Sequence, residues 1–218
     1  MSIKNNLLKI LDDLPKDISL VAVSKTKTNS EIMEAYEAGQ RIFGENKIQE
    51  LVPKWNELPK DIEWHMVGHM QSNKVKYIGE FVSLIHSVDS LKLLKEINKQ
   101  GLKNNRKINC LLQIHIAQEQ TKFGLNEAEL FELIDSEEFG NLKNVTIKGL
   151  MGMATFTDDK EQIRKEFAYL NSIYLKLKNK MQEVNVLSMG MSGDYKIAIE
   201  QGSTMIRIGS SIFGVRNS

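Results

Sequence analysis

Lys25 is the residue of this chain best placed to act as a nucleophile. It follows an apolar run, residues 18–23, whose β-branched side chains and length predict a short buried strand. A lysine at the mouth of such a strand can be desolvated, which lowers the pKa of its amine toward neutrality. That amine can then form a Schiff base with an aldehyde or ketone. The alternative is that Lys25 is one more solvated surface lysine.

Two loops of small residues near the end of the sequence could bind an anion. They are Ser192-Gly193-Asp194 and Gly209-Ser210-Ser211, and each precedes a helix-like segment. Exposed backbone N–H groups, a hydroxyl and a helix N-terminus together suit a phosphate, although such residues can also simply turn the chain. Arg207 is expected in the same pocket. Neither GxxxxGK[ST] nor GxGxxG occurs, so a nucleotide phosphate is the poorer choice.

A Schiff-base lysine opposite a phosphate site suggests pyridoxal 5′-phosphate (PLP), an aldehyde cofactor that carries a phosphate. Arg207 is the candidate partner of its pyridine nitrogen. An arginine there would keep that nitrogen unprotonated and leave the ring a poor electron sink. A rival hypothesis is an aldolase that uses Lys25 directly on a sugar phosphate, without a cofactor.

Composition is typical of a globular protein and excludes several classes. The 218 residues are 41% hydrophobic and 26% charged, with a net charge of +1, which argues against nucleic acid as the main partner. The single Cys110 lies in an apolar run and predicts a core residue. No apolar stretch reaches the roughly 20 residues that span a bilayer, and residues 1–13 lack a signal-peptide core, so we expect a cytoplasmic protein without a membrane partner.

Short apolar runs alternate with helix-like segments along the whole chain. The predicted strands are residues 20–24, 41–44, 63–67, 82–86, 108–116, 146–151, 186–189 and 205–208. Helical periodicity is clearest after Asp158-Asp159, and it recurs in 90–102 and 126–134. Eight buried parallel strands alternating with helices predict a single-domain (β/α)₈ barrel of the TIM type, with an N-terminal helix at about 2–13. A doubly wound open sheet is the alternative.

A barrel of this type carries its chemistry at the C-terminal ends of its strands. Besides Lys25 and Arg207, the polar or small residues expected there are Glu45, Asn46, His69, Gln71, Ser87, Asp89, His115, Gly152 and Met153. His65 and His69 have HxxxH spacing but span a strand and its exit, with no carboxylate to complete a set, so we predict no metal site. His69 is instead expected to line the pocket, and His65 to be a hydrogen-bonded strand residue.

Several motifs resemble the pyridoxal phosphate homeostasis protein family, and together they extend over essentially the whole chain. These are residues 21–27 (VAVSKTK), 43–46 (FGEN), 68–74 (GHMQSNK), 149–151 (GLM), 188–192 (SMGMS) with Asp194, 207–209 (RIG) and 212–214 (IFG). Family members commonly have Pro where Thr28 stands and Tyr where Lys47 stands. The first difference alters the stiffness of a loop, and the second could change the charge at the pocket rim.

The resemblance implies a barrel similar to the N-terminal domain of bacterial alanine racemase, with PLP as its cofactor. By that analogy Lys25 forms the internal aldimine, Arg207 meets the pyridine nitrogen, and Ser192 with the backbone of Gly209 and Ser210 holds the phosphate. The remaining cofactor-binding residues that it implies are Asn46, His69 and Met151.

The function implied is intracellular PLP homeostasis: a non-catalytic monomer that holds PLP as a lysine aldimine and buffers it or delivers it to apo PLP-dependent enzymes. The alternative is an amino-acid racemase. Racemisation needs an acid/base group on each face of the substrate carbanion. In alanine racemase one of them is a tyrosine from a second domain of the partner chain. The sequence given ends at Ser218, shortly after Gly214, and contains no such domain, which favours the carrier.

Overall fold

A closed barrel of eight parallel strands forms the centre of the computed structural model, which describes residues 2–119 and 123–214. The strands are β1 Ser19–Val23, β2 Ile42–Glu45, β3 Glu63–Met66, β4 Leu84–Val88, β5 Ile108–Ile114, β6 Val145–Gly152, β7 Val186–Ser188 and β8 Met205–Ile208. Each pairs with its neighbours in chain order, and β1 closes the barrel against β8. The predicted (β/α)₈ barrel is confirmed, and the open-sheet alternative is wrong.

Helices cover the outside of this barrel. Within the described residues they are α1 Ile3–Asp13, α2 Asn29–Glu37, α3 Ile48–Glu57, α4 Leu91–Lys103, α5 Glu127–Asp135, α6 Glu137–Gly140, α7 Lys160–Lys180, α8 Tyr195–Glu200 and α9 Ser210–Phe213. A 3₁₀ helix, Ser72–Tyr77, lies in the connection between β3 and β4. None of the helices in these ranges is both long and apolar enough to cross a membrane.

Helix starts follow the capping chemistry of the sequence. Asp159 caps α7 through its side chain, as its position before the apolar stripe predicts. Ser90 and Asn126 cap α4 and α5 in the same way. Thr28 caps α2 and forms a capping box with Glu31. Threonine at position 28 therefore stabilises the start of α2.

Side chains alternate between the two faces of each strand. Leu20 and Ala22 of β1 pack in the large core between barrel and helices, whereas Val21 belongs to a second cluster inside the barrel. The other buried members of that inner cluster are Leu84, Leu111, Met151 and Met205. Cys110 is fully buried, so its predicted place in the core is confirmed, and burial raises the pKa of its thiol.

Strand β4 is displaced by two residues from its predicted position. The Val82 N–H donates to the Ile78 carbonyl at 2.9 Å in the turn after the 3₁₀ helix, and the strand itself begins at Leu84. An apolar residue in a buried turn is indistinguishable by pattern from the start of a strand. The shift places His86 in the middle of β4, fully buried, and no longer at its exit.

Candidate functional site

A cavity of about 770 Å³ opens where the strands end, and it contains most of the residues singled out in the sequence. Its lining includes Lys25, Asn46, His69, Ser192, Arg207, Gly209 and Ser210. These residues follow or end five different strands, so the barrel geometry alone brings them together. The volume is within the range typical of small-molecule sites.

Met151 occupies a different position from the other seven predicted residues. It is 1% exposed and packs in the cluster inside the barrel, rather than lining the cavity. Met153, two residues further on and therefore on the same face of the chain, lines the cavity. A direct cofactor contact for Met151 stays a prediction.

Close packing of two loops fixes the side of the cavity formed after β2 and β3. A Cβ added at Gly68 would lie 2.3 Å from the Asn46 backbone oxygen, so only glycine permits this approach. The Ser87 hydroxyl, from β4, donates to the Gly68 carbonyl. His69 stacks on Phe123 with ring centroids 4.0 Å apart, and its Nδ1 lies 3.7 Å from Asp89 Oδ2. His69 thus lies at the cavity rim, as predicted.

The two small-residue loops also meet in space. The Ser211 N–H points to Ser192 Oγ at 3.5 Å, a long contact that joins the loop after β7 to the start of α9. The N-cap residue of α9, Gly209, has no side chain, and the first intrahelical bond is donated by Ile212 to Gly209. The N–H groups of Ser210 and Ser211 therefore have no acceptor within the helix, and Ser192, Gly209 and Ser210 line the cavity. Hydroxyl and backbone donors of this kind suit a phosphate.

Arg207 reaches the cavity from inside the barrel and is held on two sides. Its Nη1 donates to Ser188 Oγ at 2.6 Å, and its Nη2 donates to the Gly152 carbonyl at 3.2 Å. Arg207 is 5% exposed, and burial lowers its pKa to about 10 while Asp194 opposes that shift. The guanidinium is consequently charged at neutral pH and can only donate hydrogen bonds.

Two buried histidines extend this network across the barrel. Ser188 Oγ lies 3.1 Å from His86 Nδ1, and His86 Nε2 lies 3.0 Å from His65 Nδ1. Burial lowers the pKa of His65 to about 3 and that of His86 well below its ordinary value, the latter helped by His65 and Arg207. Both imidazoles are neutral at pH 7, so Arg207 carries the charge of this network. The prediction that His65 is a hydrogen-bonded strand residue is confirmed.

The sequence did not single out Ser188 or His86 for this network. Ser188 is the last residue of β7 and opens the 188–192 motif, but nothing in that motif indicates its contact with Arg207. His86 ends the predicted strand 82–86, a position that does not by itself distinguish the core from the rim. Side chains alternate between the two faces of a strand, so the inward orientation of residues 86 and 188 could have been predicted once the strand register was known. Glu45 ends β2, so its predicted place at a strand end is confirmed, but its side chain is fully buried against Lys54 of α3 and does not line the cavity. His115 contacts the Glu119 carbonyl at 3.0 Å.

Within the described residues, no group of three or more His, Cys, Asp or Glu side chains is placed to hold a metal ion.

Comparison with known proteins gives one consistent family. The family described as "Alanine racemase, N-terminal domain" matches residues 1–217. A pyridoxal phosphate homeostasis protein of Vibrio alginolyticus is 41% identical over 208 residues, which cover 93% of this chain and 88% of that protein. The solved structure of PipY from Synechococcus elongatus PCC7942, with PLP bound, is 34% identical with a TM-score of 0.89, covering 98% of this chain and 100% of that one.

Alanine racemase of Clostridium difficile 630 shares the fold alone. It is 16% identical with a TM-score of 0.75, and the match covers all of this chain but 57% of the racemase.

Proposed function

This chain belongs to the pyridoxal phosphate homeostasis protein family, and we propose that it binds PLP covalently through Lys25, buffering it and delivering it to apo PLP-dependent enzymes in the cytoplasm. The observation that carries this proposal is a shared cavity. Lys25, the Ser192 loop, the start of α9 and Arg207 all line it. Two named relatives point the same way, one as a pyridoxal phosphate homeostasis protein and one with PLP bound.

The residues that line the cavity fit PLP. PLP supplies an aldehyde that condenses with a lysine amine and a ring that can draw electrons from an attached amino acid. Lys25 supplies the amine, and the Ser192 hydroxyl with the backbone N–H groups of Gly209 and Ser210 supplies phosphate donors. Arg207 supplies a fixed donor for the pyridine nitrogen, and Asn46 and His69 line the wall beside it.

Removing the Ser192 hydroxyl tests the phosphate end. Ser192→Ala deletes one charge-assisted hydrogen bond, worth roughly 1.5–3 kcal/mol, so we expect PLP affinity to fall about ten- to a hundredfold. Spectroscopic titration of the variant with PLP measures this loss. Ser172→Ala is a matched control, because that hydroxyl donates to a carbonyl of its own helix α7. An unchanged affinity in Ser192→Ala would place the phosphate elsewhere.

Arg207 favours a carrier over an amino-acid racemase or another PLP enzyme. Because the guanidinium can only donate, it leaves the pyridine nitrogen unprotonated and weakens the ring as an electron sink. Ser188 and Gly152 hold it in that place, and the neutral His86 offers no negative charge to offset it. We therefore propose that the protein is not an enzyme in the ordinary sense.

The residues proposed to hold PLP are all present in this chain and line one cavity. We propose that the protein binds PLP as a monomer.

Transfer and turnover measured side by side test this function. Loaded protein is mixed with the apo form of a PLP-dependent enzyme, with and without a phosphatase that destroys free PLP. We expect recovery of enzyme activity in both, and turnover of alanine or serine far below about 1 per second, the low end of ordinary enzymes. Rapid turnover would refute the carrier, and recovery abolished by the phosphatase would refute direct delivery.

A further inference from the structure

A buried ion pair lies between the barrel and the helices, directly behind Lys25. The Lys54 ammonium, from α3, contacts Glu45 Oε1 at 2.7 Å and donates to the Ser24 carbonyl at 2.9 Å. Lys54 is 7% exposed and Glu45 is 0% exposed. Removing two charges from water is costly, and a well-packed apolar pair would often be as stable. Stability alone therefore does not explain why a buried ion pair occurs at this position.

The same group of charges anchors the residues on both sides of the nucleophile. The Ser24 hydroxyl donates to Glu45 Oε1 at 2.7 Å. The Thr26 N–H donates to Glu50 Oε2 at 2.6 Å, and that carboxylate lies 3.5 Å from the Lys54 ammonium. Two side chains of α3, Lys54 and Glu50, thus connect the strand end to the turn that follows it. The residue between the two anchors is Lys25.

That turn is held in a conformation that threonine rarely adopts. The Lys27 N–H donates to the Ser24 carbonyl at 3.0 Å, which closes a four-residue turn. Thr26 occupies its third position with φ 64°, a left-handed value that β-branched residues avoid. Such a conformation persists only where its surroundings determine it, and it often occurs at functional sites. The contacts of Ser24 with Lys54 and of Thr26 with Glu50 are the surroundings that do so here.

We propose that Lys54, acting through Ser24 and together with Glu50, is a positioning residue that holds Lys25 in register with the cavity. This inference rests on the proposed function, in which Lys25 reacts with PLP. Lys54 does not line the cavity in the described structure, so it acts only through its neighbours. Reaction geometry is sensitive to small displacements, and a misplacement of about 1 Å can cost about a hundredfold in rate.

The test measures how fast PLP is captured, separately from how stable the protein is. Lys54→Met removes the ammonium, and Lys54→Met with Glu45→Gln removes both charges of the buried pair. We expect PLP capture, followed by the rise in visible absorbance, to slow roughly ten- to a hundredfold in both variants. Borohydride reduction should still place the adduct on Lys25. Lys95→Met is the matched control, because Lys95 forms an exposed pair with Glu138 at 2.8 Å.

Glu50→Ala keeps the buried pair intact and so remains informative if the Lys54 variants do not fold. It removes the acceptor of the Thr26 N–H, and we expect the same slowing with an unchanged melting temperature of the apo protein. Capture at the wild-type rate by Glu50→Ala, or by a folded Lys54 variant, would overturn the positioning role. Wild-type protein that forms no adduct on Lys25 would instead refute the proposed function itself, so the two failures are distinguishable.

Discussion

Lys25→Ala is expected to abolish the visible absorption that wild-type protein acquires with PLP. The substitution removes the amine that lies directly after strand β1, so the remaining contacts bind PLP without a covalent bond. We expect PLP to be lost on gel filtration from the variant and retained by the wild type. The phosphate and ring contacts persist, so weak reversible binding remains measurable by titration at high PLP concentration.

Lys27→Ala is the matched control for that experiment. Lys27 also lines the cavity, two residues away, but its ammonium donates to the Phe213 carbonyl at 3.0 Å and pairs with Glu31 at 3.2 Å. We expect Lys27→Ala to retain the absorption and the bound PLP. Slow capture by Lys27 in the Lys25→Ala variant is compatible with the proposal. Retained binding and unchanged absorption in Lys25→Ala would contradict it.

Arg207→Glu should produce the second large effect, a change in the electronic state of the bound ring. A carboxylate at this position favours a protonated pyridine nitrogen, whereas the guanidinium disfavours it. We expect the visible absorption band of the bound cofactor to move. We also expect exchange of the α-hydrogen of alanine with solvent to rise by about tenfold or more, equivalent to 1.4 kcal/mol or more in barrier. Absorption spectra and deuterium exchange followed by NMR measure the two.

Ser188→Ala supplies a milder version of the same test. Arg207→Glu replaces a buried positive charge by a negative one and removes two hydrogen bonds, which destabilises the fold, so folding of the variant must be verified by thermal melting. Ser188→Ala keeps the guanidinium and its bond to Gly152 and removes the hydroxyl that contacts both Arg207 and His86. We expect a smaller displacement of the band. An unchanged spectrum in a folded Arg207→Glu variant would place Arg207 away from the ring.

The order of strands and the type of fold were predictable because both follow from the local pattern of apolar and polar residues. Apolar runs of strand length alternate with capped, periodic helices, and a side chain such as Asp159 marks a helix start directly. Strand ends were less predictable, as β4 demonstrates. Val82 is apolar and buried, yet its N–H donates to the Ile78 carbonyl within a turn. Only the backbone hydrogen bonds show that this residue precedes the strand.

Seven of the eight predicted site residues line one cavity, because residues at the ends of barrel strands converge regardless of their distance in sequence. The parts that escaped prediction depend on contacts between elements. The Ser188–His86–His65 chain inside the barrel requires the register of three strands. The Lys54 contact with Ser24 requires the docking of α3 on the barrel. The local sequence pattern predicts neither the contacts among Ser188, His86 and His65 nor the contact of Lys54 with Ser24.

Borohydride reduction of the wild-type protein with PLP, followed by peptide mass mapping, tests the central proposal most directly. Reduction converts a lysine–PLP linkage into a stable amine that survives digestion. We expect a phosphopyridoxyl adduct predominantly on Lys25, at close to one per chain. An adduct mainly on Lys27, or scattered over surface lysines with none on Lys25, would contradict it.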